Sequence, residues 1–214
     1  MKATYFISDL HLSEDTKNTT NLFFNFLDIL KPADTLYILG DFFDYWIHSK
    51  KDKLNDFQNN ILSKLKQISE QNIEIIFMPG NRDFLLNNKI LKRFNIKSIP
   101  NQETKIIINN KNILIAHGDQ FCTDDISYQK YKKIVEKPWV QKLFFLLPYK
   151  IREYIGNNIR NKSKKYQNKL QKPIDVSLKT IENIAQKIHC EYIIHGHTHR
   201  FGLHYHNNNK TIRF

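Results

Sequence analysis

Five short clusters of carboxylate, imidazole and carboxamide side chains punctuate the chain: Asp9-x-His11, Gly40-Asp41-x-x-Asp44, Gly80-Asn81-Arg82-Asp83, His117-Gly118-Asp119 and Gly196-His197-Thr198-His199. Oxygen and imidazole nitrogen donors together suit a borderline divalent cation such as Mn2+, Fe2+ or Zn2+. No cysteine stands in any cluster, which argues against a soft thiolate site. Any one cluster arises by chance in many chains. Five of them, each directly after an apolar run of 4–8 residues, are hard to reach by accident.

The apolar runs are the elements that must position these side chains. Ala3–Ser8, Thr35–Leu39, Ile73–Met78, Asn112–Ala116 and Glu191–Ile194 read as strands. Each cluster then lies at a strand's carboxyl end, where open α/β sheets place their sites. Glycine beside a ligand lets the backbone turn sharply there. Helical spacing links Phe23, Phe26, Leu27 and Leu30 across residues 19–30, with Lys31-Pro32 as the stop. It links Phe57, Ile61, Leu65 and Ile68 in a second helix, and two more are expected near 84–94 and 174–188. Hairpins are expected at Thr104–Asn109 with Asn112–Ala116, and at Phe201–His206 with Lys210–Phe214. The class is therefore α/β, with an α+β admixture from the hairpins. Residues 126–173 break the alternation. They are helical in character, interrupted by Pro138, Pro148 and Pro173, and read as a cap inserted into a core of 1–125 and 174–214.

Charge follows the same division. The 214 residues carry 33 Lys+Arg against 21 Asp+Glu, a net +12 that first suggests nucleic acid or an anionic membrane. Residues 126–175 alone hold 13 basic and 3 acidic groups, leaving 20 and 18 for the other 164. The excess belongs to the cap. Lysine supplies 27 of the 33 basic residues, as A/T-rich codons would, but uniform codon drift does not concentrate charge in one segment. With 41% apolar and 25% charged residues the chain fits a globular protein, which argues against wholesale disorder. No signal-peptide stretch follows Met1-Lys2, and the run Leu143–Tyr149, closed by Lys142 and Lys150, is far short of the roughly 18 residues of a membrane span. Cys122 and Cys190 lack paired spacing, so a cytoplasmic location with reduced thiols is expected.

The order Asp-x-His, Gly-Asp-x-x-Asp, Gly-Asn-x-Asp, His, Gly-His-x-His resembles the calcineurin-like metallophosphoesterases over residues 4–200. Arg82 stands where that superfamily usually has histidine. Arg82, together with Gly40-Asp41-Phe42-Phe43-Asp44-Tyr45-Trp46, Cys122-Thr123-Asp124-Asp125 and His195-Gly196-His197-Thr198-His199-Arg200, is similar to the UDP-2,3-diacylglucosamine diphosphatases of lipid A biosynthesis. The resemblance implies a four-layer αββα sandwich with two Mn2+ ions per chain. Asp9, His11, Asp41 and His199 would hold one ion, and Asp41, Asn81, His117 and His197 the other, with Asp41 bridging. It implies catalysis at Asp41, Asn81, Arg82 and His117, and substrate contacts at Asn81, Arg82, Asp125, Ser163, Gln167, Lys169 and His197. The implied reaction is hydrolysis at the uridine-side phosphorus, giving UMP and 2,3-diacylglucosamine 1-phosphate at the cytoplasmic face of the inner membrane, with the chain a peripheral protein there. A guanidinium at position 82 clamps a diphosphate but is too basic to donate a proton, which fits a leaving group that departs as a stabilised anion. The family's chains continue past the position of Phe214, so an exposed sheet edge is expected there.

Other residues have quieter readings. Asp44 and Asp83 are expected to fix a loop or an imidazole rather than bind metal. His195 is left out of the ligand set, and His48, His189, His204 and His206 are ordinary histidines. In the cap, Trp139, Leu143, Phe144, Leu146, Leu147 and Ile151 either pack on the core or line an acyl pocket, and the pocket is favoured because each buried CH2 is worth about 0.8 kcal/mol. A phosphodiesterase or nuclease on the same dinuclear site is the alternative enzyme, although it would prefer histidine at 82. A basic binder with a relic site is the non-enzyme alternative, opposed by seven intact ligand positions.

Overall fold

The computed structural model describes residues 2–99, 102–169, 175–206 and 209–213, without the side chains of 164–169, 206, 209, 210 and 213. The chain forms two compact units, Met1–Gln102 and Glu103–Phe214.

The first unit alternates strand and helix: β1 (Thr4–Ile7), α1 (Lys17–Leu27), β2 (Thr35–Leu39), α2 (Asp56–Ser69), β3 (Glu74–Met78), α3 (Asn88–Arg93) and β4 (Lys97–Ser98). Its sheet runs β1-β2-β3-β4, all parallel, with Ile7 opposite Ile38 and Leu39 opposite Met78. Parallel neighbours require crossover connections, and the helices supply them. Phe23 and Leu27 of α1, and Ile61, Leu62, Leu65 and Ile68 of α2, are buried, as are Leu36, Ile38, Ile75 and Phe77 of the sheet. An Asn55–Gln58 capping box fixes the start of α2. Two sequence expectations shift for local reasons. The first helix ends at Leu27 with Asp28 as its cap, and Leu30 is buried beyond it rather than within it. The helix expected near 84–94 starts only at Asn88, because Asn87 accepts the amides of Lys89 and Ile90 and so caps it.

The second unit opens on the hairpin β5 (Glu103–Ile108) and β6 (Lys111–Ala116). Asn109 and Asn110 turn it with φ of 49° and 60°, the left-handed pair a two-residue hairpin needs. A 3-10 turn, Asp119–Phe121, leads to α4 (Ile126–Val135), α5 (Pro138–Leu146) and α6 (Tyr149–Lys169). Two of the prolines read as interruptions punctuate this segment: Pro138 is the first residue of α5, and Pro148 directly precedes α6. Then follow α7 (Leu178–Ile188), β7 (Tyr192–His195), β8 (Gly202–His206) and β9 (Asn209–Arg213). The sheet order is β5-β6-β7-β9-β8, with β9 parallel to β7 and antiparallel to β8, so β8 lies at the edge. Leu114, Ala116, Phe121, Cys122, Val176, Ile181, Ala185, Cys190 and Ile193 form one buried cluster beneath it. With two sheets and seven α-helices among the described residues the chain is mixed α/β, as its sequence pattern requires.

Candidate metal centre

In the first unit, the segments after β1, β2 and β3 are tied to one another. The amides of Asp9, His11 and Leu12 donate to the carbonyls of Gly40, Asp41 and Phe42 at 3.1, 2.9 and 2.9 Å, and Asp44 N–H returns to Leu12 at 3.1 Å. The pairing of β1 with β2 thus continues into the loops that carry the ligand-type residues. Trp46 N–H donates to the Arg82 carbonyl at 3.0 Å, which brings in the loop after β3.

Asp83 fastens this arrangement. It is fully buried, and its carboxylate accepts the amides of Gly80 (2.8 Å), Phe42 (2.8 Å), Phe43 (3.3 Å) and Asp41 (3.3 Å). Gly80 has a reason to be glycine: a Cβ there would lie 2.4 Å from both the amide nitrogen and Oδ1 of Asp41. Asp41 itself is buried. Its Oδ1 accepts the Arg82 amide at 2.8 Å, and its Oδ2 lies 3.8 Å from His11 Nε2. Ligand atoms of Asp9 and His11 come within 4.8 Å of each other.

The second unit gathers the histidines. His117 is fully buried at the end of β6, and its carbonyl accepts the Gly196 amide at 2.8 Å. Gly118 has φ of 119°, and a Cβ there would meet the Gly196 carbonyl and His195 Nδ1 at 2.8 Å. Glycine therefore lets the two loops close on each other. The rings of His117 and His197 are 5.1 Å apart at 69°, with ligand nitrogens within 4.8 Å. His195 completes β7, is buried, and faces Phe121 edge-on at 5.5 Å.

Backbone conformation singles out the same residues. Among described non-glycine residues with positive φ are Asp9 (56°), His11 (47°), Asp41 (49°), His197 (71°) and His199 (51°). Asp and His enter this left-handed region more readily than most residues, yet it remains uncommon and collects at functional sites. Five of the seven expected ligands are held this way, which is no property of their spacing in the sequence. The first unit thus supplies carboxylate and imidazole donors, Asp9, His11 and Asp41, and the second supplies the imidazoles of His117, His197 and His199, donor types that suit a divalent cation.

The other expected contacts are placed as follows. Asp125 is the N-cap of α4, its Oδ1 accepting the Tyr128 amide at 2.9 Å. Ser163 is half-buried in α6. Gln167 and Lys169 belong to α6, but their side chains lie outside the described residues. Trp46, expected to be core or pocket wall, is buried against Phe43.

Sequence reading missed a buried cluster around Asp119. Lys132 Nζ bonds Asp119 Oδ2 at 2.6 Å, and the Tyr128 hydroxyl donates to the same oxygen. Burial pushes the Asp119 carboxyl up, but the charges of His117, Lys132 and His197 outweigh it and bring it down to about 2. The available signal was a lysine and a tyrosine at Lys132 and Tyr128, one helical turn apart in a helix otherwise rich in surface lysine.

The calcineurin-like phosphoesterase family matches residues 3–201 of the chain. A UDP-2,3-diacylglucosamine hydrolase of Actinobacillus succinogenes is 40% identical over 95% of this chain and 86% of its own length. The hydrolase of the same name from Photorhabdus laumondii is 42% identical over 94% and 83%, and that from Haemophilus influenzae (strain Rd) 40% over 95% and 86%. The order of ligands, the arginine at position 82 and these likenesses agree, and the chain belongs to the calcineurin-like phosphoesterases, within the family of the UDP-2,3-diacylglucosamine hydrolases.

Proposed function

We propose that this chain hydrolyses the diphosphate of UDP-2,3-diacylglucosamine to UMP and 2,3-diacylglucosamine 1-phosphate, a step of lipid A biosynthesis. The observation that carries this reading is Asp41, whose Oδ1 binds the amide of Arg82 while its Oδ2 faces His11. A bridging ligand and a diphosphate clamp are thereby set in one register. Asp9, His11, Asp41 and His199 would hold one divalent ion, and Asp41, Asn81, His117 and His197 the second. When bound, such a pair supplies Lewis-acid polarisation of phosphoryl oxygens. Mn2+ suits the mixed oxygen and imidazole set.

The chain's own groups do the rest. Arg82 holds the diphosphate without competing as a proton donor, since guanidinium stays charged. Asn81 and His117 orient the uridine-side phosphoryl group for in-line attack by water. The bond to the bridging oxygen breaks, and that oxygen leaves with the sugar 1-phosphate. Asp125, Ser163, Gln167, Lys169 and His197 contact the substrate, and the insertion 126–173, to which helices α4 to α6 belong, acts as a basic cap. No helix among the described residues is long and apolar enough to cross a membrane. A peripheral attachment to the anionic cytoplasmic face of the inner membrane fits the cap's charge.

Release of UMP from UDP-2,3-diacylglucosamine should require added Mn2+ and vanish in Asp41→Ala. Full turnover by that variant, or faster turnover of simple phosphodiesters and nucleic acid than of the lipid-linked nucleotide, sinks the proposal.

A further inference from the structure

Helix α4 is fastened to the second unit in an unusual way. Buried lysines are rare, yet Lys132 is 7% exposed and Asp119, its partner, 2%. A buried ion pair contributes little net stability compared with apolar packing, because both charges lose their water. Its retention calls for a positional reason. Asp119 stands two residues after His117, past the left-handed Gly118, and turns its carboxylate toward α4. Three side chains within little more than one turn of α4 attach to that loop. Gln129 Nε2 donates to the Asp119 carbonyl at 2.9 Å and to Cys122 at 3.1 Å, Lys132 pairs with Oδ2, and the Tyr128 hydroxyl donates to Oδ2 as well.

Tyr128 is thereby pinned at both ends. Its amide is held by Asp125 Oδ1 at 2.9 Å and its hydroxyl by Asp119. Between these anchors its ring lies over the imidazole of His197, with centroids 6.2 Å apart and planes 28° from parallel, while His117 meets that imidazole edge-on from another side. His197 sits in a loop on left-handed backbone, with φ of 71°.

We propose that Tyr128 is a positioning residue for His197, and that the Lys132–Asp119 pair exists to hold the Tyr128 ring in place. The first turns of α4 then set the orientation of a ligand, so the cap and the cation centre are coupled through one stacked ring. This rests on the reading of His197 as a metal ligand.

Groups that orient metal ligands without touching the ion change affinity by about 10–100-fold when removed. The test is direct titration of metal-free full-length protein with Mn2+ by calorimetry, alongside thermal melting without metal. Tyr128→Leu should weaken one of two Mn2+ binding steps by about 10-fold. Tyr128→Phe and Lys132→Met should weaken the same step to a smaller extent, and Tyr128→Phe decides the matter if the leucine variant does not fold. In steady state, kcat should fall at saturating Mn2+ with little change in KM. Unchanged Mn2+ affinity in folded Tyr128→Leu or Tyr128→Phe overturns the inference, as does a rise in KM alone, which would make Tyr128 a substrate contact. A wild-type chain that binds no Mn2+ overturns instead the dinuclear reading beneath it.

Discussion

The carboxylate of Asp83 lies 2.8 Å from the amide of Phe42, the residue next to Asp41, and through Gly80 and Phe43 it joins the loops after β2 and β3. A side chain outside the proposed ligand set thus fixes the backbone on which Asp41, the proposed bridging ligand, stands. Replacing it removes the shared acceptor of four amides. Each buried donor left unsatisfied costs about 1–3 kcal/mol, so Asp83→Ala should lose about 3 kcal/mol or more in denaturant unfolding. Asp83→Asn, which keeps one acceptor oxygen, should lose less. An alanine variant as stable as wild type would show that water replaces the carboxylate at no cost.

Gly80→Ala tests the same junction by steric means. The added Cβ would stand 2.4 Å from the Asp41 amide and Oδ1, so that residue must move. The expected result is a folded protein with weakened Mn2+ binding and a large loss of turnover. Wild-type Mn2+ affinity in this variant would mean that the loop yields without disturbing Asp41.

Metal should stabilise the fold as well as serve the reaction. A ligand present at 100 times its Kd and bound only by the native state adds about 2.7 kcal/mol. Scanning calorimetry should show Tm rising with Mn2+ and falling back with chelator, and Asp41→Asn should abolish most of that response. A variant that retains the full response would place the cation elsewhere.

The pH dependence of stability should carry a contribution from Asp34. This carboxylate accepts the Ala3 amide at 2.8 Å and the Lys31 amide at 2.9 Å, and these bonds hold its pKa below the ordinary carboxylate value. A carboxyl depressed in the folded state contributes fully above its unfolded pKa of about 4, and the contribution is lost as pH falls through the folded value. Wild type should therefore melt above Asp34→Asn at pH 7, with the gap closing toward pH 3. A gap that persists unchanged in acid would assign the difference to shape rather than charge.

The exposed apolar residues of α5 offer a test of the proposed cap. Trp139, Leu143 and Leu146 are 59%, 56% and 79% exposed, and no residue of that helix is buried. Leu143→Ser with Leu146→Ser should leave stability within about 0.5 kcal/mol, as exposed positions do. The same change should raise KM for the diacylated substrate several-fold and weaken binding to anionic vesicles. Unaltered KM and vesicle binding would remove this face from substrate capture.

Much of this arrangement is legible in the sequence because strand ends are. A run such as Thr35–Leu39 closed by Gly40-Asp41 states both the strand and the place where its chemistry emerges. The candidate ligands are legible for the same reason. What could not be read are relationships between segments far apart in the chain. Nothing local marks Asp83 as the acceptor for Phe42, 41 positions earlier. Lys132 looks like one more basic residue of a charged helix until its ammonium is found buried against Asp119. Left-handed backbone at Asp9, His11, Asp41, His197 and His199 is likewise invisible, since Asp and His enter that region readily enough to permit it but nothing local requires it.

That backbone has a consequence for how the protein would respond to selection. At all five positions glycine or asparagine would relax the chain, and each such residue in a sparsely populated region costs on the order of 1 kcal/mol or more. Directed evolution toward heat tolerance, run in a chelating buffer with no demand for turnover, would be drawn to these positions first. The hardiest survivors would be the ones that had erased their own chemistry.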